Sequence, residues 1–177
     1  MAPTTEVGVL VGAVAFTDIC GFTEFTAVQG DEAALRLLAT QELIVRDGLP
    51  SGSRLVKELG DGLLLWFEDP AAAVRTTLAL QRRFEAESAV GDLPLWVRIG
   101  LHWGRQTVRG EDLIGHDVNV AARIADVAGP TEVVVSGPMV AQLGGRLDGV
   151  RFDELGPVVM KGLPDPVPLF RAELDPA

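Results

Sequence analysis

The segment Arg54 to Phe67 constrains the fold more than any other. Arg54 to Leu59 and Leu63 to Phe67 both read as strands, and only Gly60-Asp61-Gly62 separates them. So short a connection joins antiparallel neighbours, and its flanking glycines permit a tight hairpin turn. Asp61 is therefore expected at the exposed tip. A second constraint comes earlier, where Val7 to Phe16 forms an apolar run preceded by Glu6 and by no basic residue. The run is about half the ~20 residues that a membrane-spanning helix needs, so it reads as a buried strand and neither a secretory nor a membrane segment. Asp18 follows it directly.

Between these strands, Asp31 to Arg46 carries Ala33, Leu35, Leu38, Leu43 and Ile44 with few breakers, which predicts a helix ended by the Gly48 to Ser53 turn. Pro70 to Glu87 predicts a second helix, with Asp69 as N-cap and proline in the first turn, where its missing N–H is harmless. Leu95 to Trp103 reads as a strand, and Asp117 to Val127 as a third helix that stops before Gly129-Pro130. Shorter strands are expected at Glu132 to Val135, Val150 to Leu155 and Val167 to Arg171, with a small helix near Pro138 to Leu143. The order strand, helix, hairpin, helix, strand implies an α+β architecture, a mostly antiparallel sheet with helices packed on one face. No repeat, low-complexity tract or linker divides the 177 residues, so 1–177 is expected to be a single domain.

A formal charge of −10 argues against general attraction to nucleic acid or an anionic membrane surface. Any basic site for phosphate must be local. Cys20, the single cysteine, has no internal disulfide partner, and His102 and His116 are not spaced with it as a zinc site. A reducing cytoplasm is the expected location.

Several polar residues suit phosphoryl chemistry on a nucleotide. Two aspartates at the ends of adjacent strands, Asp18 and Asp61, can hold two divalent ions for in-line attack at phosphorus. Lys57 only donates hydrogen bonds and ionised Asp112 only accepts them, which matches the N1 acceptor and N6 donor of adenine and opposes guanine. Asn119 and Arg123, four apart on the third helix, project from one face. There the guanidinium suits charge building on an α-phosphate, and Asn119 suits holding the ribose. Taken singly, each has an ordinary explanation: a Gly-Asp-Gly turn, a strand lysine, a solvated helix face. For Asp18 and Asp61 their joint occurrence in this order outweighs that reading, and for Asn119 and Arg123 the surrounding motif does.

Phe16-Thr17-Asp18-Ile19-Cys20-Gly21-Phe22-Thr23, then Lys57-Glu58-Leu59-Gly60-Asp61-Gly62, then Asp112 through Arg123 together resemble the catalytic domain of class III adenylate and guanylate cyclases. The resemblance runs from about Val9 to Phe170, a core of about 9–170, and implies a ferredoxin-like palm. It further implies that Asp18, Asp61 and the Ile19 carbonyl bind two divalent ions, Mg2+ or Mn2+. Lys57 and Asp112 would read the base, and Lys161, in Met160-Lys161-Gly162, would contact the triphosphate. The family's guanylate cyclases typically carry glutamate and a small polar residue at the Lys57 and Asp112 places. ATP is thus the expected substrate, with 3',5'-cyclic AMP and pyrophosphate as products of attack by the ribose 3'-hydroxyl.

The family arrangement implies a homodimer with two shared sites, Asp18 and Asp61 from one chain and Lys57, Asp112, Asn119 and Arg123 from the other. Spacing alone leaves this open, since an extended Lys57 to Asp61 spans ~13 Å, enough to reach from base to phosphates within one chain. Trp103 stands where the family more often has a small or polar residue. Arg105 to Glu111 is short in the region that helps subunits embrace. A nucleotide-binding or dimerising module without turnover is the competing reading, and it would need only a subset of these residues.

Overall fold

The computed structural model describes residues 7–177. Its elements run β1 (Gly8–Ile19), α1 (Phe22–Gln29), α2 (Asp31–Gly48), β2 (Ser53–Leu59), β3 (Gly62–Phe67), α3 (Pro70–Val90) and β4 (Val97–Arg109). There follow β5 (Asp112–Ile114), α4 (His116–Val127), β6 (Val133–Ser136), α5 (Gly137–Gln142), β7 (Val150–Val158) and β8 (Val167–Leu174). One eight-stranded sheet has the order β2-β3-β1-β4-β6-β8-β7, and β5 pairs with β4. Its β2-β3-β1-β4 part is an antiparallel ferredoxin-like palm. β6 extends the palm by pairing parallel to β4.

The α+β architecture follows from side-chain alternation along the two central strands. Ala13, Ala15 and Ile19 of β1 and Val97, Ile99 and Leu101 of β4 meet Leu37 and Val45 of α2 and Val74 and Phe84 of α3 in the main core. Val14 and Leu64 point the other way, into a cluster with Leu113, Val118 and Ala121. α4 therefore lies against the opposite face from α2 and α3, an addition to the expectation of helices on one face. Asp69 caps α3 as expected, accepting from the Ala71 and Ala72 amides, with Pro70 in the first turn.

α4 seats closely because β4 carries Gly100 beneath it. A Cβ there would stand 2.8 Å from the Ala121 carbonyl oxygen and overlap the Ala125 amide. These are backbone atoms that cannot swing aside. Gly100→Ala is expected to cost about 3 kcal/mol, the upper part of the range for overpacking a well-filled core. Urea denaturation at unchanged m-value measures it.

Three differences from the sequence reading bear on the site. β1 continues through Ile19, so Asp18 lies inside a strand rather than after one; the ladder to β4 runs on from Phe16↔Gly100 to Ile19↔Val97. α1 was not expected, because it is eight residues long and fully buries none of them. β4 extends to Arg109 and turns back into β5, a hairpin whose polar residues carry no apolar alternation.

Candidate active site

Asp18 stands opposite Arg98 in the β1–β4 ladder. Directly paired residues share a face of the sheet. The guanidinium donates to Asp18 Oδ2 through Nε at 2.8 Å and Nη2 at 2.6 Å. Arg98 also donates to the Asp126 carbonyl at 3.1 Å, joining β1, β4 and the end of α4. Asp61 is within hydrogen-bonding reach of Asp18. Burial, then the hydrogen bond and charge of Asp18, push the Asp61 carboxyl up to about 6, against the backbone hydrogen bonds of Asp61 and Ile19. Two carboxylates held this close repel, which favours a proton or positive charge beside them, and Arg98 already supplies one to Asp18.

Asp61 is half-buried rather than an exposed tip, because its turn is tied to α2 and β1. The buried Gln41 amide donates to the Asp61 carbonyl at 3.1 Å. Thr17 Oγ1 donates to Gln41 Oε1 at 3.2 Å and accepts from the Leu63 amide at 3.2 Å. Sequence reasoning gave no role to Arg98, Gln41 or Thr17. The signal for Arg98 is its register opposite Asp18, which exists only once β1 and β4 are paired.

Lys57 on β2 and Asp112 on β5 form an ion pair, with Nζ 2.8 Å from Oδ1 and 2.9 Å from Oδ2. Their side chains are 34% and 36% exposed, open enough for a ligand to reach. The Lys57 ammonium, with help from the Leu113 amide and Arg109, holds the Asp112 carboxyl below the usual aspartate value against partial desolvation. A pair 55 residues apart in sequence is closed by the β4–β5 hairpin.

Asn119 and Arg123 lie on α4, whose Val118, Ala121 and Ala125 are buried. Arg123 donates to Asp126 Oδ2 at 3.1 Å. Asn119, Arg123 and His116 line one cleft with Lys161 and Gly162, so the late lysine does come alongside α4. Arg123 also borders a second cleft with Asp18, Gly62 and Asp126. The assigned residues thus fall into three groups: Asp18 with Asp61, Lys57 with Asp112, and Asn119 with Arg123 and Lys161.

The family described as the adenylate and guanylate cyclase catalytic domain matches residues 7–171, nearly the whole chain. The chain belongs to this family. It is 31% identical over 160 residues to a pH-sensitive adenylate cyclase of Mycobacterium tuberculosis, covering 89% of this chain and 39% of that protein. It is 33% identical over 131 residues to an adenylate cyclase of Streptomyces griseus, covering 73% of this chain and 32% of the other. The chain therefore spans about a third to two fifths of the length of these relatives. Among solved structures, the adenylyl cyclase CyaB from P. aeruginosa superposes with a TM-score of 0.79 at 23% identity, covering 97% of both chains, a likeness of fold.

Class III cyclase domains generally use divalent metals, and the oxygen donors of Asp18 and Asp61 are of the kind such ions take. Among the described residues no group of three or more His, Cys, Asp or Glu side chains forms a closed metal cage. Two carboxylates suit magnesium or manganese that keeps waters and completes its shell with substrate phosphate. Arg98 engages only Oδ2 of Asp18, leaving Oδ1 clear of the guanidinium.

Proposed function

We propose that this domain is an adenylate cyclase, converting ATP to 3',5'-cyclic AMP and pyrophosphate. The observation that carries the base choice is the Lys57–Asp112 pair. Lys57 keeps N–H donors beyond the one given to Asp112, and Asp112 keeps lone pairs beyond those taken by Lys57 and Leu113. Held side by side, one offers a donor to adenine N1 and the other an acceptor to N6. Guanine in the same register would set donor against donor and acceptor against acceptor, a mismatch worth ~10⁴-fold or more where the bound base buries both groups.

Asp18, Asp61 and the Ile19 carbonyl would hold two divalent ions. Bound there, such ions supply activation of the ribose 3'-hydroxyl and neutralise the triphosphate. Asn119 holds the ribose so that its 3'-oxygen lies in line with the α-phosphorus. Arg123 sheds Asp126 and meets the charge that grows on the α-phosphate oxygens, while Lys161 binds the outer phosphates. The 3'-hydroxyl proton leaves to water or to a substrate phosphate.

The working unit is a homodimer with two equivalent sites. A cytoplasmic place of action belongs to the same proposal; among the described residues no helix is long and apolar enough to cross a membrane. The test is to incubate the purified chain with ATP or GTP and with Mg2+ or Mn2+, then identify the product by mass and chromatography. Cyclic AMP from ATP alone is expected. Cyclic GMP in preference would overturn the base assignment, and no product with either nucleotide would favour a binding module.

A further inference from the structure

We infer that His102 is a positioning residue: through a hydrogen-bond relay from Ser136 to Asp117 it fixes the start of α4, and with it Asn119 and Arg123. The inference rests on the cyclase reading for what α4 does, and on geometry for how α4 is held. His102 lies in β4 on the side that meets α4 and is only 6% exposed. Its Nδ1 is 2.7 Å from Ser136 Oγ on β6, and its Nε2 is 3.1 Å from Asp117 Oδ1 in the first turn of α4. Asp117 Oδ2 in turn accepts from the Arg105 amide at 2.7 Å. Ser136 Oγ accepts from the Met139 amide at 3.3 Å, capping α5.

Donor and acceptor rules orient every link. Ionised Asp117 only accepts, so the ring must carry its proton on Nε2. In a neutral ring Nδ1 is then an acceptor, which the Ser136 hydroxyl satisfies by donating. The serine oxygen remains free to accept from Met139. The relay runs Met139 N–H to Ser136 O–H to His102 to Asp117, with no buried donor or acceptor spent twice or left over. Asp117 is two residues before Asn119 and six before Arg123 on the same helix. Room for its carboxylate exists only because β4 has Gly104 there, where a Cβ would lie 2.8 Å from Asp117 Cβ and overlap the carboxyl group.

The relay works in one protonation state. A proton on Nδ1 would make both ring nitrogens donors. Ser136 would then accept from Nδ1 and from Met139 together, and its own proton would lose its buried acceptor. The titratable groups facing the ring are Asp117 and His116, both from α4; Ser136 on β6 is neutral, and Val14 opposite on β1 is apolar. Burial, aided by His116, holds His102 below its ordinary value of 6.5 against the opposing pull of Asp117. The folded chain therefore takes up this proton less readily than the unfolded chain. Stability tied to it is present above 6.5 and is lost as pH falls below.

The test compares the parent chain with His102→Ala and His102→Gln. The glutamine amide can donate to Asp117 and accept from Ser136 but does not titrate. At pH 7.5, H102A is expected to lower kcat by ~10- to 100-fold with KM for ATP within about threefold, since Lys57 and Asp112 are untouched. H102Q is expected to restore kcat to within about threefold of the parent. Hydrogen exchange of residues 116–127, corrected for intrinsic rate, supplies a readout independent of turnover and of metal. The parent should lose about tenfold protection in α4 between pH 7.5 and 5.5, and H102Q should not. Equal exchange behaviour in parent and H102Q, or a change in KM alone, would overturn the role of His102. Absence of cyclic nucleotide from all three chains would overturn the cyclase reading instead, and the exchange data would still decide whether His102 holds α4.

Discussion

Asp18→Ala chains and Arg123→Ala chains, each inactive alone, are expected to regain activity when mixed. Each substitution removes a group used at the reacting phosphate, and loss of a transition-state arginine alone is worth ~10³-fold or more. If each site takes Asp18 and Asp61 from one chain and Asn119 and Arg123 from the other, a mixed dimer has one site with both lesions and one with neither. Random pairing makes half of the dimers mixed, so roughly a quarter of all sites are intact. Specific activity of the 1:1 mixture should therefore approach about a quarter of the parent value. Sharing is what the cyclase reading implies. Within one chain Asp18, Arg98, Asp126 and Arg123 form one run of ion pairs, and Arg123 borders the cleft that Asp18 lines, so the mixing experiment decides between a shared site and a single-chain one. Mixed dimers that form, as judged by tagged co-purification, yet stay inactive would show that one chain supplies the whole site.

The unequal legibility of the site has a physical origin. Asp61 was readable because a two-strand pattern interrupted by Gly60-Asp61-Gly62 leaves little but a hairpin, and Asp69 because an N-cap before a proline is a local signal. Local signals end where register begins. Arg98 is the direct neighbour of Asp18 only because Ile99↔Thr17 and Val97↔Ile19 pair, and no composition or spacing of either strand states that register. Gln41 and Thr17 form a buried pair across an α2–β1 seam, and each alone reads as an ordinary polar residue. The Lys57–Asp112 contact depends on β5, whose three residues are too few to show a period. α4 on the opposite face was likewise hidden, since its small residues mark close packing but not against which side of the sheet. Alternation along β1 and β4 settles that only once both strands are in place.

Replacing Lys57 by Glu and Asp112 by Ser together is expected to turn the base preference from ATP to GTP, lowering kcat/KM for ATP by ~10³-fold or more. The order in which the changes are made matters, and the ion pair says why. Lys57→Glu alone would set a carboxylate against Asp112, where an ammonium now sits 2.8 and 2.9 Å from its oxygens. Like charges at that distance repel, and the β2–β5 seam that carries the base site should loosen, with loss of turnover on either nucleotide. Asp112→Ser alone leaves Lys57 with a donor aimed at the donor edge of guanine, so it weakens ATP use without creating GTP use. Only the double change offers an acceptor for guanine N1–H together with a hydroxyl able to donate to O6. Steady-state kcat/KM for both nucleotides across the two single variants and the double variant measures the coupling directly. A double variant that folds, binds nucleotide and still prefers ATP would locate the discrimination elsewhere in the site and remove the base-reading role from Lys57 and Asp112.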